Sequence, residues 1–197
     1  MNITELILPA KAQYDISRQL LEFRDCLDIG CGIWPQTYRI PLEEHHLTDP
    51  HGPYLEIAKK RRKRDGNADV ATWEETLSLY EPNSVDTVFL MDVIEHLEKE
   101  DGKKLLQPTI NLAIKQMVIF TPLGFMKQDE LIGPDPWGME TGANNLQVHR
   151  SGWLPEDFEH IPGANIFICN NFHTVNNLNE SLPDGPHGAM WVIITKQ

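Results

Sequence analysis

Long apolar runs are missing from this chain of 197 residues. The longest, such as residues 190–194, fall far short of the ~20 residues that cross a membrane, so no membrane-spanning segment is predicted. The first residues contain Glu5 and no basic leader. They therefore lack the pattern of a secretory signal peptide.

Cysteine is also scarce. Cys26, Cys31 and Cys169 are an odd number of cysteines, without the spacing of a metal site. We expect them to be reduced thiols of a cytoplasmic protein. No grouping of His, Cys and Asp along the chain has zinc-type spacing, so no metal is predicted.

Positive charge is in deficit, with 17 basic against 29 acidic side chains and a net charge of −12. This balance disfavours a nucleic-acid binder that relies on a broad positive surface. The one basic run, residues 59–64, falls at the end of a predicted helix (residues 54–64), where it complements the helix dipole. The alternative is an RNA-contacting patch. The length and the 41% of hydrophobic residues fit one α/β domain over residues 1–197.

The most informative segment that is present is Cys-Leu-Asp-Ile-Gly-Cys-Gly at residues 26–32. A strand predicted at Asp25–Ile29 contains Asp28 near its carboxyl end, and two glycines follow. Because glycine has no Cβ, Gly30 and Gly32 can take positive φ and admit a ligand to near-contact. Ligands of open α/β sheets bind at this end of the strands. A carboxylate there favours a cationic ligand over a pyrophosphate.

A second acidic residue follows the next predicted strand, Glu44–Asp49. Asp49 lies 49 − 28 = 21 residues after Asp28, and a carboxylate at this place can accept both hydroxyls of a ribose. This spacing also occurs in dinucleotide enzymes. Alternatively, Asp49 only opens the turn Asp-Pro-His-Gly-Pro. His45 and His46, on the strand itself, are interpreted as structural.

The rest of the chain alternates between predicted helices and strands. Pro35 and Pro41 predict an irregular loop over residues 34–42. Ser151 is a candidate N-cap for a short helix over residues 155–158. The predicted helices are residues 10–23, within an N-terminal helical segment 1–23, and residues 100–115, where Pro108 can introduce a kink. The further predicted strands are residues 68–73, 85–91, 117–121, 166–169 and 190–195.

Three segments, residues 26–32, 84–97 and 117–124, resemble in order and spacing the motifs of the class I S-adenosylmethionine-dependent methyltransferases. The resemblance covers roughly residues 24–124. It implies a Rossmann-like three-layer α/β/α sandwich with a seven-stranded, mostly parallel sheet whose last strand is antiparallel. The chain departs from the family at the usual third glycine, which is absent, with Trp34 two residues after Gly32.

The resemblance also implies S-adenosylmethionine as cofactor and assigns residues to it. Cys31 lies inside the glycine turn, where its small side chain fits beside a ligand; a nucleophilic role is the alternative. If the strand register slips, Asp69 takes the place of Thr72 and Trp73 as the contact to the adenine. The alternative role of Asp92 is to cap the helix that follows it. The assigned residues are Asp28, Gly30, Cys31 and Gly32 for the methionyl part, Asp49 for the ribose, Thr72 or Trp73 for the adenine, and Asp92 for the sulfonium side.

Two histidines are candidates for catalysis. His96, in a Glu-His-Leu motif, can act as a base toward a hydroxyl acceptor, or it is simply packed. His149 lies in a Gln-Val-His-Arg-Ser segment beside Arg150, which can bind an acidic group of the substrate. Residues 125–162, which contain His149, correspond to the region that supplies the substrate lid in the family.

The predicted function is methyl transfer from S-adenosylmethionine to an oxygen or nitrogen atom of a small molecule. Three alternatives remain open. The chain could be a non-catalytic binding protein of the same fold, or a methyltransferase acting on RNA or protein. It could also be a dinucleotide-dependent oxidoreductase, whose fingerprint, however, requires the third glycine.

Overall fold

The computed structural model describes residues 2–6, 9–35, 43–62, 65–128, 134–135, 137–140, 142–175, 181–182 and 185–196. The strands are β1 (Asn2–Glu5), β2 (Asp25–Ile29), β3 (Glu44–Asp49), β4 (Ala68–Val70), β5 (Val85–Met91), β6 (Ala113–Pro122), β7 (Ala164–His173) and β8 (His187–Thr195). The α-helices are α1 (Pro9–Ser17), α2 (Gly52–Arg61), α3 (Trp73–Leu79) and α4 (Lys99–Leu112). Short 3-10 helices lie at Ile94–His96, Asn144–Gln147 and Pro155–Phe158.

The strands form one mixed sheet in the order β1-β7-β8-β6-β5-β2-β3-β4. Among the strands of the described residues, only β8 pairs antiparallel with its neighbours, as predicted for the last strand. The described part of the chain forms eight strands, however, and the predicted seven is wrong. The additional strand is β1, which pairs in parallel with the edge strand β7. Its four residues are all exposed, so it lacks the apolar alternation by which a strand is detected in a sequence.

Helices cover both faces of the sheet, which confirms the three-layer arrangement. Leu105 and Leu106 of α4 pack against one face, together with Leu27 of β2. Ala12 and Ile16 of α1 pack against the other face. The central strand β5 is buried over Val85–Leu90, as a strand covered on both sides requires.

The bounds of β2, β3 and β5 agree with the sequence predictions, but several other elements differ. Helices α1 and α4 end earlier than expected, and α4 continues through Pro108. Ser151 does not cap the 3-10 helix Pro155–Phe158; its hydroxyl donates to the carbonyl of Ile94. Most of the loop expected at residues 34–42 lies outside the described residues. No helix within the described ranges is long and apolar enough to cross a membrane.

Trp153 fixes the segment around residue 150 to helix α4. Its indole ring is fully buried beside Phe158, and its Nε1 donates to Ser151 Oγ at 3.0 Å. Gly102 of α4 lies directly under this ring, and a Cβ at Gly102 would overlap it. The glycine is therefore required for the close approach of helix and indole.

Replacing Gly102 by alanine is expected to destabilise the protein by about 1–3 kcal/mol, because the new methyl group overpacks a filled site. In an unconstrained helix the same change stabilises by roughly 0.5–1 kcal/mol. Urea unfolding of Gly102→Ala measures the effect. Gly52→Ala is the matched control, since its Cβ would make an ordinary 3.6 Å contact with Val70. A Gly102→Ala protein as stable as the control would contradict this account.

Candidate active site

A cavity of about 480 Å³ opens where the carboxyl ends of β2, β3 and β5 meet. The strand order reverses between β2 and β5, and ligands of open α/β sheets bind at such a switch point. The cavity is lined by Asp28, Ile29, Gly30, Cys31, Gly32, Ile33, Trp34, Asp49, Pro50, Tyr54, Ala71, Trp73, Met91, Asp92, Val93, His96, Leu97, Trp137, Leu146, Gln147 and Arg150. Most of the residues predicted from the sequence are therefore brought together on its walls.

The glycine turn forms one wall and is tied to strand β3. Gly30 and Gly32 have φ of +68° and +56°, a conformation that favours glycine. A Cβ at Gly30 would lie 2.9 Å from the Val93 side chain. The backbone N–H groups of Gly30 and Cys31 both donate to the carbonyl of Thr48, at 2.8 and 3.1 Å. These contacts fix the turn against the end of the neighbouring strand.

Asp49 continues this connection with its side chain. The N–H of Gly32 donates to Oδ2 and the N–H of His51 donates to Oδ1, both at 2.8 Å. The carboxylate therefore closes the turn after β3 and still has lone pairs that face the cavity. Burial raises the pKa of Asp49. The turn and the ligand-binding interpretations are thus compatible.

Asp28 and Cys31 lie deeper in the same wall. Asp28 is 1% exposed, and His45 Nε2 is 3.6 Å from its Oδ2. Burial and the charges of Asp28 and Asp49 raise the pKa of the Cys31 thiol. The thiol therefore stays protonated at neutral pH, and the nucleophilic alternative for Cys31 has no support in its surroundings.

The two candidates for contact with the adenine differ in position. Trp73 lines the cavity, whereas Thr72 is not among the lining residues. The Thr72 hydroxyl accepts from the N–H of Glu75, and the Glu75 carboxylate accepts from the N–H of Thr72. Thr72 thus caps α3. Ala71, which the sequence analysis did not single out, lines the cavity instead.

The opposite wall is the turn that follows β5. Asp92 has φ of +55°, a strained conformation that Asp tolerates better than most residues. The following 3-10 helix has no side-chain cap, so the capping alternative for Asp92 does not hold. Both Arg150 and Ser151 donate their N–H groups to the carbonyl of Glu95, at 2.8 and 3.1 Å. These bonds attach the segment around residue 150 to the turn.

His96 faces the cavity and His149 lies behind it. Their rings are 4.8 Å apart, and His149 is 8% exposed and not among the lining residues. Burial lowers the pKa of His96 to about 4 and also lowers that of His149, so both rings are neutral at pH 7. Arg150 lines the cavity, and its guanidinium donates to the carbonyls of His96, Val148 and Asn145.

Residues that the sequence analysis missed complete the cavity. The Tyr54 hydroxyl donates to Asp135 at 2.6 Å, and Trp137 stacks edge-on against Tyr54. Arg61 donates to the carbonyl of Ile33 and covers the Trp34 ring at 3.5 Å. These contacts join segments far apart in sequence, and no local pattern indicates them. Arg61, a member of the basic run at residues 59–64, therefore makes its contacts inside the protein.

The electrostatics of the cavity wall formed by the glycine turn and β3 oppose an anionic ligand. The N–H groups of Gly30, Cys31 and Gly32 are donated to β3 and Asp49 rather than to the cavity. A pyrophosphate site would need such groups. The lining also includes Asp28, Asp49 and Asp92. A ligand with positive charge therefore fits this wall better than a dinucleotide.

Comparisons with known proteins agree with this geometry. Residues 27–110 match the model of a family described as a methyltransferase domain. Over these residues the chain therefore matches a methyltransferase domain, of the class whose motifs the sequence resembles. S-adenosylmethionine, the methyl donor of that class, is the cofactor that this match supports. No curated protein matches the sequence.

Solved structures share the fold over nearly the whole chain. An S-adenosylmethionine-dependent methyltransferase from Archaeoglobus fulgidus has a TM-score of 0.60 at 15% identity, covering 96% of this chain and 95% of its own. One from Anabaena variabilis has a TM-score of 0.64 at 20% identity, covering 93% and 83%. A magnesium protoporphyrin IX methyltransferase from Synechocystis, with bound S-adenosylhomocysteine, has 0.55 at 12%, covering 95% and 80%. At these identities the likeness shows the fold.

The state of Cys31 can be tested by alkylation. All three cysteines are buried, and the Cys31 thiol is held protonated. Iodoacetamide at pH 7.5 is therefore expected to label none of them in the folded protein and all of them in urea, as read by peptide mass spectrometry. Cys31→Ala should leave ligand binding intact. Rapid native labelling of Cys31 ahead of Cys26 and Cys169 would contradict the assignment.

Proposed function

We propose that this methyltransferase transfers the methyl group of S-adenosylmethionine to an oxygen or nitrogen atom of a small molecule. The observation that carries the proposal is the wall formed by the glycine turn and β3. The N–H groups of this wall donate to β3 and not to the cavity, and its carboxylates line the cavity. A donor that has a sulfonium and an ammonium group complements such a wall.

Each cofactor-facing residue receives a role from its position. Asp28 and the glycine turn, including Cys31, surround the methionyl part. Asp49 accepts from the ribose hydroxyls with the lone pairs that Gly32 and His51 leave free. Ala71 and Trp73 contact the adenine in place of Thr72, and Asp92 lies on the sulfonium side.

The acceptor binds between the turn after β5 and the segment that crosses it. Leu146, Gln147 and Arg150 line this side of the cavity and belong to the proposed lid, residues 125–162. Arg150 still has free N–H donors for an acidic group of the acceptor. The similar Synechocystis enzyme acts on a small molecule, which supports the same substrate class here.

His96 is a weak base in this arrangement. Its pKa of about 4 makes proton removal unfavourable at neutral pH. Positioning of donor and acceptor, which supplies on the order of 7–11 kcal/mol in well-oriented systems, is then the main contribution of the chain. His149 supports His96 from behind without touching the cavity.

A thermal-melt comparison tests the ligand class. S-adenosylhomocysteine and S-adenosylmethionine at 100 times their dissociation constants add about 2.7 kcal/mol, which raises the Tm of a domain of this size by roughly 5–10 °C. NAD and NADP are expected to have no effect. A rise with the dinucleotides alone would support an oxidoreductase, and no rise with any ligand would support a non-catalytic binding protein.

The ribose assignment is tested by a double-mutant cycle. Asp49→Asn is expected to weaken S-adenosylhomocysteine binding about tenfold to a hundredfold, as loss of a charged hydrogen bond predicts. The variant should lose little further affinity when the ligand lacks its ribose hydroxyls. Asp69→Asn is the control, because Asp69 lies on the neighbouring strand β4, opposite Thr48, and does not line the cavity. Additive effects of the Asp49 variant and the hydroxyl-free ligand, by calorimetry, would remove the ribose role.

A further inference from the structure

Three side chains converge at the cavity wall, which His96 lines and behind which Glu95 and His149 lie. Glu95, His96 and His149 each offer one possible ligand atom, and these atoms lie within 4.8 Å of one another. Atoms that share one ion at about 2 Å each lie roughly 3–4 Å apart. The three side chains therefore have to move closer together when they bind an ion. The group combines two imidazoles with a carboxylate, which is a common ligand set for transition metals.

The hydrogen bonds of both imidazoles leave the same nitrogen free. His149 Nδ1 lies 2.7 Å from the carbonyl of Met126, and His96 Nδ1 lies 3.2 Å from that of Val148. A carbonyl only accepts, so each Nδ1 carries the proton and each Nε2 has an available lone pair. Metal-binding histidines are typically oriented by such a bond from the second ring nitrogen.

Glu95 is the group that most needs a partner. Its carboxylate is 2% exposed; Oε2 accepts from the Thr121 hydroxyl at 3.0 Å, and Oε1 has no hydrogen-bond donor among the described residues. The Asp92 carboxylate is a neighbour of Glu95. A buried carboxylate oxygen without a donor can bind a cation or share a proton with a second carboxylate.

We propose that Glu95, His96 and His149 bind one divalent transition-metal ion of the Zn²⁺, Fe²⁺ or Co²⁺ kind. Mg²⁺ and Ca²⁺ prefer ligand sets made of oxygen alone, which two imidazoles do not provide. Glu95 and His149 lie behind the wall, whereas His96 and Asp92 line the cavity. With two ligands behind the wall and one lining the cavity, the ion would be accessible from the cavity, as in catalytic rather than structural sites.

The site has a consequence for the acceptor, which rests on the proposed function. An ion at this place binds a hydroxyl oxygen of the acceptor and lowers its pKa, so the proton is released to water. The oxygen lone pair then forms the O–CH3 bond, and the electron pair of the breaking S–CH3 bond returns to sulfur. The ion supplies what the weak base His96 does not, and it favours an oxygen acceptor over a nitrogen acceptor.

Titration with Co²⁺ tests the site through its visible absorption bands and by calorimetry at pH 7.5. The wild-type chain is expected to bind one equivalent. The double variant His96→Ala/His149→Ala should lose this binding, and Glu95→Gln, which keeps the side-chain shape, should weaken it at least tenfold. His160→Ala is the control, because His160 is exposed and does not belong to the cluster; this variant should bind Co²⁺ like the wild type.

Two outcomes would overturn the site. One is the absence of Co²⁺ binding by the wild type, which would assign a shared proton to Asp92 and Glu95. The other is unchanged binding by the double variant, which would assign the ion to other groups such as His173 and His187, whose Nε2 atoms are also buried without a partner among the described residues. S-adenosylhomocysteine binding is measured on the same samples. It reports folding of each variant and tests the proposed function separately from the metal.

Discussion

Gly30 and Cys31 donate their backbone N–H groups to the carbonyl of Thr48, and Gly32 donates to the carboxylate of Asp49. This set of hydrogen bonds is the constraint on which the cavity depends. It joins the ends of β2 and β3, sets the positive φ that only glycine adopts without strain at Gly30 and Gly32, and turns the polar N–H groups away from the ligand. What remains toward the cavity is carboxylate charge, and the preference for a cationic ligand follows.

The opposite wall depends on a second backbone group, the carbonyl of Glu95. It accepts from Arg150 and Ser151 and so attaches a distant segment to the turn after β5. Trp153, buried against Gly102 of α4, holds the same segment from below. Glu95, in the turn after β5, and His149, more than fifty positions later, are thereby brought close together. The cluster of Glu95, His96 and His149 is a product of this attachment rather than of any local pattern.

These two walls explain how much of the molecule could be predicted from the sequence. Strands β2, β3 and β5 are buried, β2 and β5 are mainly apolar, and all three are bounded by turn residues, so their limits were predicted correctly. Edge strand β1 was missed because its pairing with β7 depends on the rest of the sheet and not on its own four exposed residues. Thr72 was assigned to the ligand because strand ends are uncertain by a few residues, and in the structure its hydroxyl caps α3. Tyr54, Asp135 and Arg61 were missed because their contacts exist only after the chain has folded.

The departure at Trp34 also has a physical explanation. In a dinucleotide site, the third glycine lets a helix pack closely against the strand and direct its N-terminus at a pyrophosphate. Here the N–H groups of the turn are already donated elsewhere, so such a helix N-terminus has no anion to bind. Pro35 occupies that position here, and Trp34 stands where the methyltransferase motif usually has its third glycine. Trp34 is 47% exposed and stacked under Arg61, where it adds an aromatic surface to the cavity. The absence of the third glycine and the presence of the carboxylates both suit a wall that binds a cation rather than a phosphate.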